Sequence, residues 1–403
     1  MSGPLSDLRV VELSHGPGEL AGKLLADMGA DVIKVEPPGG APSRGVGPFV
    51  DDVAGPDRSL HFWYHNTNKR SVVLDLSKAD GKGAALSLCS AADLLIEDFR
   101  PGWLAENVAS LEQLRGANPG LIVCSITPFG QTGPWADWQS SDLVSLAAGG
   151  PMAMNGYSPE DAPGAPPMRG HGDQGYNTAC HYAVIGVLVA LLHRDRTGQG
   201  QHVDCSAHEA LSCTVEVGMP YYLYQRRDVS RQTSRHAAVA PTEPWLFRAG
   251  DGRELILFGR GRDNRSWGEL KRWIQSKGFG AQLDEERFDD PRARQPGLGS
   301  REAAEITEEL RKFIAASTAD EIYRGGQARR QPWGTVRSPD ETLADPHLQD
   351  RGFFVWTEGE GRADPVLLPG PPYAFSATPW ELRRPAPRLG EHTDEVLREL
   401  AGS

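Results

Sequence analysis

The 403-residue sequence predicts an α/β fold built on an open, parallel sheet, with a smaller α+β region inserted late in the chain. Three observations predict it. Strand and helix patterns alternate four times in roughly the first 130 residues, the signature of an open α/β sheet. The first of these units is a strand, a short helix and a second strand, an order that requires parallel pairing. After about Tyr224 the pattern gives way to a polar, basic, proline-bearing stretch and then to a hairpin and two amphipathic helices.

The elements follow in order. "LRVVELS" (Leu8–Ser14) reads as a buried strand, Ala21–Ala30 as a helix ending near Gly29, and Asp31–Gly40 as a strand stopped by Pro37 and Pro38. "RSVVLDLS" is a strand, Lys78–Ala92 a helix and "DLLIEDF" a strand. A helix at Val108–Leu114 precedes the strand "LIVCSITPF". Thr178–His193 is an apolar helix, with Asn177 or Thr178 as its cap. "GQHVDCSAHEALSCTVEVGMPYYL" reads as a strand and a further helix. In the second region, Trp245–Arg260 forms a hairpin about Asp251-Gly252. Helices at Ser266–Lys277 and Ala303–Ser317 flank a polar Gly/Pro stretch at Arg287–Gly299. No internal repeat is present.

Composition narrows the function. Hydrophobic residues make up 39% and charged residues 24%, as in a soluble globular protein. A net charge of −12 opposes bulk binding to nucleic acid or to an anionic membrane, while leaving room for a local basic pocket. The five cysteines form no CxxC pair and sit among apolar or small residues, which suggests buried free thiols in a reducing cytoplasm. The apolar run Ala183–Leu192 is too short to span a membrane. "MSGPLSDLRVVEL" runs directly into a strand without a signal-peptide pattern, so a cytoplasmic location is expected.

The motif search removes several chemistries. "HGPGELAG" is not a GxGxxG fingerprint, and Glu36, which ends the second strand, is followed at once by Pro37 and Pro38. Gly259–Gly261 in "FGRGRDN" reads as an ordinary loop. There is no GxSxG elbow, and the eleven histidines suggest no metal site. Arg44, Lys69, Arg70 and Arg100 lie at strand and loop ends. Each alone reads as a surface charge, and together they suit a polyanion such as a nucleotide phosphate. Trp135, Trp138, Met152 and Met154 suit either core packing or a bulky apolar acyl pocket.

Six stretches taken together resemble the class III CoA-transferase family, the carnitine/bile-acid CoA-transferase type with formyl-CoA transferase and α-methylacyl-CoA racemase as relatives. They are "SDLRVVELSHGPGELAGKLLADMGADVIKVEPPGG", "NTNKRSVVLDLSKADGKG", "ADLLIEDFRPG", "SITPFGQTGPWADWQSSDLV", "ALLHRDRTGQGQHVDCSAHEA" and "RRPAPRLGEHTDEVLREL". The resemblance covers nearly the whole chain in order. It implies a Rossmann-like large domain made from both chain ends (1–220 and 331–403), a small α+β domain at 225–330, and an interlocked homodimer. It implies coenzyme A as cosubstrate, an acyl-CoA and a carboxylic acid as substrates, and no metal. Heteromers with a homologous subunit also occur in the family. By correspondence, His15, Lys69, Arg70 and Arg100 fall where such enzymes hold CoA. The basic residue that often follows the second strand is replaced by Pro37 and Pro38, and the glycine-rich catalytic loop of formyl-CoA transferase has no match in "RQTSRHAAVAPTEP".

The family chemistry uses an aspartate that attacks the thioester and passes CoA on through aspartyl anhydride and aspartyl-CoA intermediates. Counted back without gaps from His193-Arg194, its usual place falls near Tyr176, and Asp173 lies three residues earlier. Asp173 is thus either the nucleophile, displaced by a small insertion, or a turn residue between glycines. The racemase branch resembles "GHD" where this chain has "SSD", so Ser141 replaces its histidine and Asp142 reads as a turn or cap. That disfavours proton transfer at the α-carbon. His171, His181 and His208 could substitute, and Asp142 and Glu209 are the next acids. The alternatives are therefore a CoA-transferase, an acyl-CoA racemase or isomerase, and a non-catalytic CoA-binding subunit.

Overall fold

Six strands form one parallel sheet in the order β3-β2-β1-β4-β5-β6. They are β1 (Arg9–Leu13), β2 (Asp31–Glu36), β3 (Arg70–Val73), β4 (Leu94–Glu97), β5 (Ile122–Thr127) and β6 (His202–Ser206). This is the doubly wound order, with its switch point between β1 and β4. The helices that follow are α1 (Glu19–Asp27), α2 (Leu60–His65), α3 (Ala79–Ser90), α4 (Trp103–Asn107), α5 (Leu111–Ala117), α6 (Asp142–Ala148), α7 (Pro151–Met154), α8 (Gln174–Thr197) and α9 (Ala207–Cys213). The computed structural model describes residues 3–216, 218–261, 263–294, 300–357 and 365–402.

The strands are apolar runs because both faces of the sheet are covered. On one face Val10, Val32, Ile96 and Cys124 pack under Leu20 and Leu25 of α1, Ala183 and Val187 of α8, and Ala207 of α9. On the other, Val11, Ile33, Val72, Leu95 and Val123 meet Leu88 of α3, Leu114 of α5 and Val396 of the C-terminal helix Thr393–Ala401. The chain therefore returns to the sheet at its end.

Two compact units are present. One comprises residues 1–149, 171–214 and 345–403, the other 150–170 and 215–344. Residues 150–170 belong to the second unit rather than lying within a continuous stretch 1–220. Ser158 N–H donates to Thr233 Oγ1 (3.0 Å), and Arg231 donates to the Tyr157 and Ala165 carbonyls (2.9 and 2.8 Å). In this second unit Leu246–Arg248 and Glu254–Leu257 form the expected hairpin, extended by Trp333–Thr335. Helices Asn264–Ser276, Arg301–Ala315 and Ala319–Ala328 cover it around Trp267, Phe313 and Trp333. Of the polar stretch Arg287–Gly299, residues 295–299 lie outside the described residues.

Some elements differ from the sequence reading. The helix expected at Val108–Leu114 begins at Leu111, because Ser110 and Gln113 close a capping box there. α8 begins at Gln174, ahead of both expected caps, and ends at Gly198 in the left-handed region (φ 73°). By length and composition α8 could cross a bilayer, yet eight of its residues are buried against the rest of the fold. Four of the five free cysteines are buried, but Cys213 at the end of α9 is exposed.

Candidate active site

The crevice at the C-terminal edge of β1 and β4 is knitted by one carboxylate. Asp98, just after β4, accepts from Ser14 Oγ (2.6 Å), His15 N–H (2.9 Å) and Gly18 N–H (2.8 Å). These bonds pin the β1–α1 loop at the switch point, where α/β sheets take ligands. His15 is exposed beside it and packs edge-on to Phe99 (4.5 Å), which stacks on Trp103 (3.5 Å). Desolvation lowers the His15 pKa, with Lys34 acting the same way against Asp98 and Glu19, so the imidazole is neutral at pH 7. Arg100 also stands at this edge, with its side chain 58% exposed and paired to Glu106.

Lys69 and Arg70, expected to contact phosphate, are placed elsewhere. Lys69 is fully buried, donating to Glu12 Oε2 (2.7 Å), the Glu19 carbonyl (2.8 Å) and Asn66 Oδ1 (2.9 Å). Lys34 completes this buried box by pairing with Glu12 (2.9 Å) and Glu19 (2.7 Å). Burial would raise the Glu19 pKa, but Lys34 and Lys69 overcome it and hold Glu19 at about 2. Arg70 opens β3 and bonds Asp31, Glu395 and Glu399 at the N-terminal edge of the sheet, opposite the crevice. A residue just before a parallel strand lies at the edge away from the ligand, and that polarity excludes Arg70. Arg44 is likewise buried against Glu36.

The second half of the site is the N-terminus of α8. Asp142, the first residue of α6, accepts from Gly175 N–H (2.7 Å) and Tyr176 N–H (3.2 Å). A Cβ on Gly175 would lie 2.9 Å from that oxygen, so only glycine permits the approach. Asp142 thereby caps a helix other than its own, which sequence periodicity does not register. Asp173 is the N-cap residue by position, yet its side chain makes no cap hydrogen bond and is exposed. Tyr176 connects the two halves. Burial first, then the charges of Asp142, Asp173 and Asp98, push its phenol up to about 12. Three carboxylates thus surround a protonated tyrosine that cannot itself serve as a nucleophile at neutral pH. Ser141 caps α6 by accepting from Val144 N–H, and His181 Nδ1 bonds the Asn177 carbonyl one turn back.

Glu97, the last residue of β4, was not singled out from the sequence; an acid closing an apolar strand was its only signal. It accepts from Phe99 N–H (2.9 Å) and is bonded by Ser125, whose Oγ lies 2.9 Å from His202 Nε2. Burial pushes its carboxyl to about 7, against Ser125 and the Phe99 N–H and aided by Asp98 and Asp204. The folded state therefore retains a proton that the unfolded chain loses near pH 4.5. Stability should fall by about 3 kcal/mol as pH rises from about 4.5 to 7 and then level off. Urea unfolding across that range should show the slope, and Glu97→Gln should flatten it; an unchanged slope in the variant would assign it to another group.

Among the described residues no group of three or more His, Cys, Asp or Glu could hold a metal ion. One pair does have ligand spacing, His61 and His65 on α2 (centroids 4.3 Å), but among the described residues no third His, Cys, Asp or Glu joins it.

The β1/β4 switch point of a doubly wound sheet and the start of α8 thus frame the candidate site, the place where α/β folds take ligands. The family model described as CoA-transferase family III matches residues 5–393, and the chain belongs to that family. It is 33% identical over 401 residues to the succinyl-CoA:(R)-benzylsuccinate CoA-transferase subunit BbsE of Thauera aromatica, covering 99% of this chain and 95% of that protein. It is 36% identical to succinate–glutarate CoA-transferase of Agrobacterium fabrum, covering 98% and 96%. Among solved structures, a CAIB/BAIF family protein from Brucella suis superposes with a TM-score of 0.82 at 29% identity, covering 99% of this chain and 100% of that one.

Proposed function

We propose that this protein moves coenzyme A from an acyl-CoA thioester to a carboxylic acid with Asp173 as nucleophile. The observation that carries the reading is that Asp142 does the capping that Asp173 would otherwise do, leaving the Asp173 carboxylate uncommitted beside the crevice. In the first step a carboxylate oxygen of Asp173 attacks the thioester carbon, the C–S bond breaks, and CoA thiolate leaves a mixed anhydride. The thiolate then attacks the aspartyl carbonyl, releasing the donor acid and forming aspartyl-CoA. The acceptor carboxylate repeats the sequence in reverse and departs as the new thioester. Relatives that transfer CoA to or from glutarate, D-citramalate and mesaconate by name support succinyl-CoA as the donor. Incubation with succinyl-CoA followed by hydroxylamine should leave a hydroxamate on Asp173, read by peptide mass spectrometry. Exchange of the α-proton with solvent, without transfer, would instead identify a racemase.

His15 and Arg100 are the groups proposed to hold CoA, His15 as a neutral hydrogen-bonding partner and Arg100 as the cation for phosphate. To reach a phosphate, Arg100 exchanges Glu106 for the ligand. Arg100→Ala should weaken CoA by about 1–3 kcal/mol in calorimetry, the range for a charge-assisted bond; an unchanged Kd would return Arg100 to a surface role.

The functional unit proposed is a dimer of this chain. Tyr182, Ile185, Val189 and Leu192 form an exposed apolar stripe along α8, with Ile185, Val189 and Leu192 each 58–60% exposed. A second copy would cover it. Light scattering at micromolar concentration should give a dimer mass; a monomer would point to a heteromer, an arrangement that relatives named as alpha and beta subunits also suggest.

A further inference from the structure

The β5–α6 loop carries a cluster that the transfer steps do not use. Trp135 and Trp138 stack with centroids 4.9 Å apart and planes 17° from parallel. Phe129 meets them edge-on at 5.8 and 6.4 Å. His208, on α9, lies 5.5 Å from Trp135 and 5.8 Å from Phe129. Hydrogen bonds tie the platform to its neighbours. His208 N–H donates to the Pro128 carbonyl (2.9 Å), Gly130 N–H to Thr127 Oγ1 (2.9 Å), and Gln131 N–H to Asp204 (2.9 Å).

Two features of this platform call for a ligand. Both indoles are exposed, Trp138 by 56%, so a pair of large flat faces is held open to solvent on a pinned loop. Two enclosed side-chain nitrogens, His208 Nδ1 and Gln131 Nε2, have no hydrogen-bond partner. Buried polar groups are nearly always satisfied, so each orphan calls for an explanation, a bound group or an ordered water among them. An aromatic face with a few orphan polar atoms suits a flat ring that carries an oxygen acceptor. The loop leads toward the candidate nucleophile. It runs on into Ser141 and Asp142, and Asp142 holds the start of the helix that Asp173 precedes. The His15 and Arg100 crevice lies instead between β1 and β4.

Resting on the CoA-transfer reading, we propose that Phe129, Trp135, Trp138 and His208 form the subsite for the non-reacting end of the acid, and that this end is an aromatic ring. The ring stacks on the exposed indole of Trp138. Discrimination between aryl and alkyl acids then resides in this loop.

The test uses the full chain and Trp138→Ala, a truncation at an exposed position. With succinyl-CoA as donor, kcat/KM is measured for 3-phenylpropionate and for hexanoate as acceptors. The wild type should favour 3-phenylpropionate. The variant should lose about tenfold to a hundredfold on it, the range of one ring stack, and several-fold less on hexanoate, whose chain covers the indole without stacking. Separately, 3-phenylpropionate should quench tryptophan fluorescence in the wild type and not in the variant. Equal losses on both acids, or no loss on either, overturn the proposal. So does weakened binding of desulfo-CoA in the variant, which would make the shelf a seat for the nucleotide ring. Failure of acrylamide to quench Trp138 also overturns it, because a second copy would then cover the shelf. Absence of transfer to any acid would sink the CoA-transfer reading instead, and the fluorescence titration would still decide the shelf.

Discussion

Lys69→Ala should lower stability by about 3–5 kcal/mol, the cost of breaking a buried ion pair from one side, out of a total of about 5–15 kcal/mol for a domain. Lys69 and Lys34 balance Glu12 and Glu19 in a box in which all four side chains are buried. Removing Lys69 leaves two carboxylates sharing one ammonium, and the Asn66 Oδ1 and Glu19 carbonyl lose a donor. Water cannot replace it cheaply, because Gly22 of α1 packs directly over the box: a Cβ there would sit 1.7 Å from Glu12 Oε2. The double variant Lys69→Met/Glu12→Gln removes one charge of each sign and should recover more than half of the loss, since the neutral replacement of a buried pair is often tolerated. Urea midpoints of the three proteins check this. If Lys69→Ala keeps its midpoint and instead weakens CoA, Lys69 is a phosphate ligand after all and the box is dispensable.

That experiment separates two readings of the same residue, and it shows where sequence stops informing. The alternation from Leu8 to Phe129 suffices for a parallel α/β sheet, because each strand is a short apolar run bounded by turn residues. The same pattern contains Glu12 and Lys34 inside otherwise apolar strands, and these turn out to be register partners across β1 and β2. Charges within buried strands were the available sign of an internal network. "NKR" ahead of β3 looked like a basic edge because sequence reports charge but neither depth nor strand polarity. Asp98, which pins the β1–α1 loop, gave no sign beyond being an acid after a strand. The start of α8 was displaced for a related reason: its cap comes from Asp142 on another helix, 33 residues away. Tertiary hydrogen bonds of this kind leave no local pattern.

Asp173→Asn should reduce transfer by several orders of magnitude while leaving fold and CoA affinity almost unchanged. The amide has the shape of the carboxylate but cannot attack to form the anhydride, so the whole covalent route closes rather than slowing a few-fold. The structural cost should be small. Asparagine is as good an N-cap as aspartate, and at this helix the cap hydrogen bonds come from Asp142 in any case. Tyr176, at the ungapped family position, cannot take over, because its phenol is held protonated at pH 7 with a pKa of about 12. Asp142 cannot take over either without releasing Gly175 and Tyr176, so Asp142→Asn is the informative control. It should disturb the start of α8, and its effect should appear in the unfolding midpoint as well as in rate. For Asp173→Asn the two readouts should separate: kcat lost, midpoint and Kd for CoA kept, and no hydroxamate formed with succinyl-CoA. Retention of activity within tenfold would reduce Asp173 to a turn residue. The nucleophile would then have to come from another acid of this chain, Glu209 first among them, or from a partner subunit.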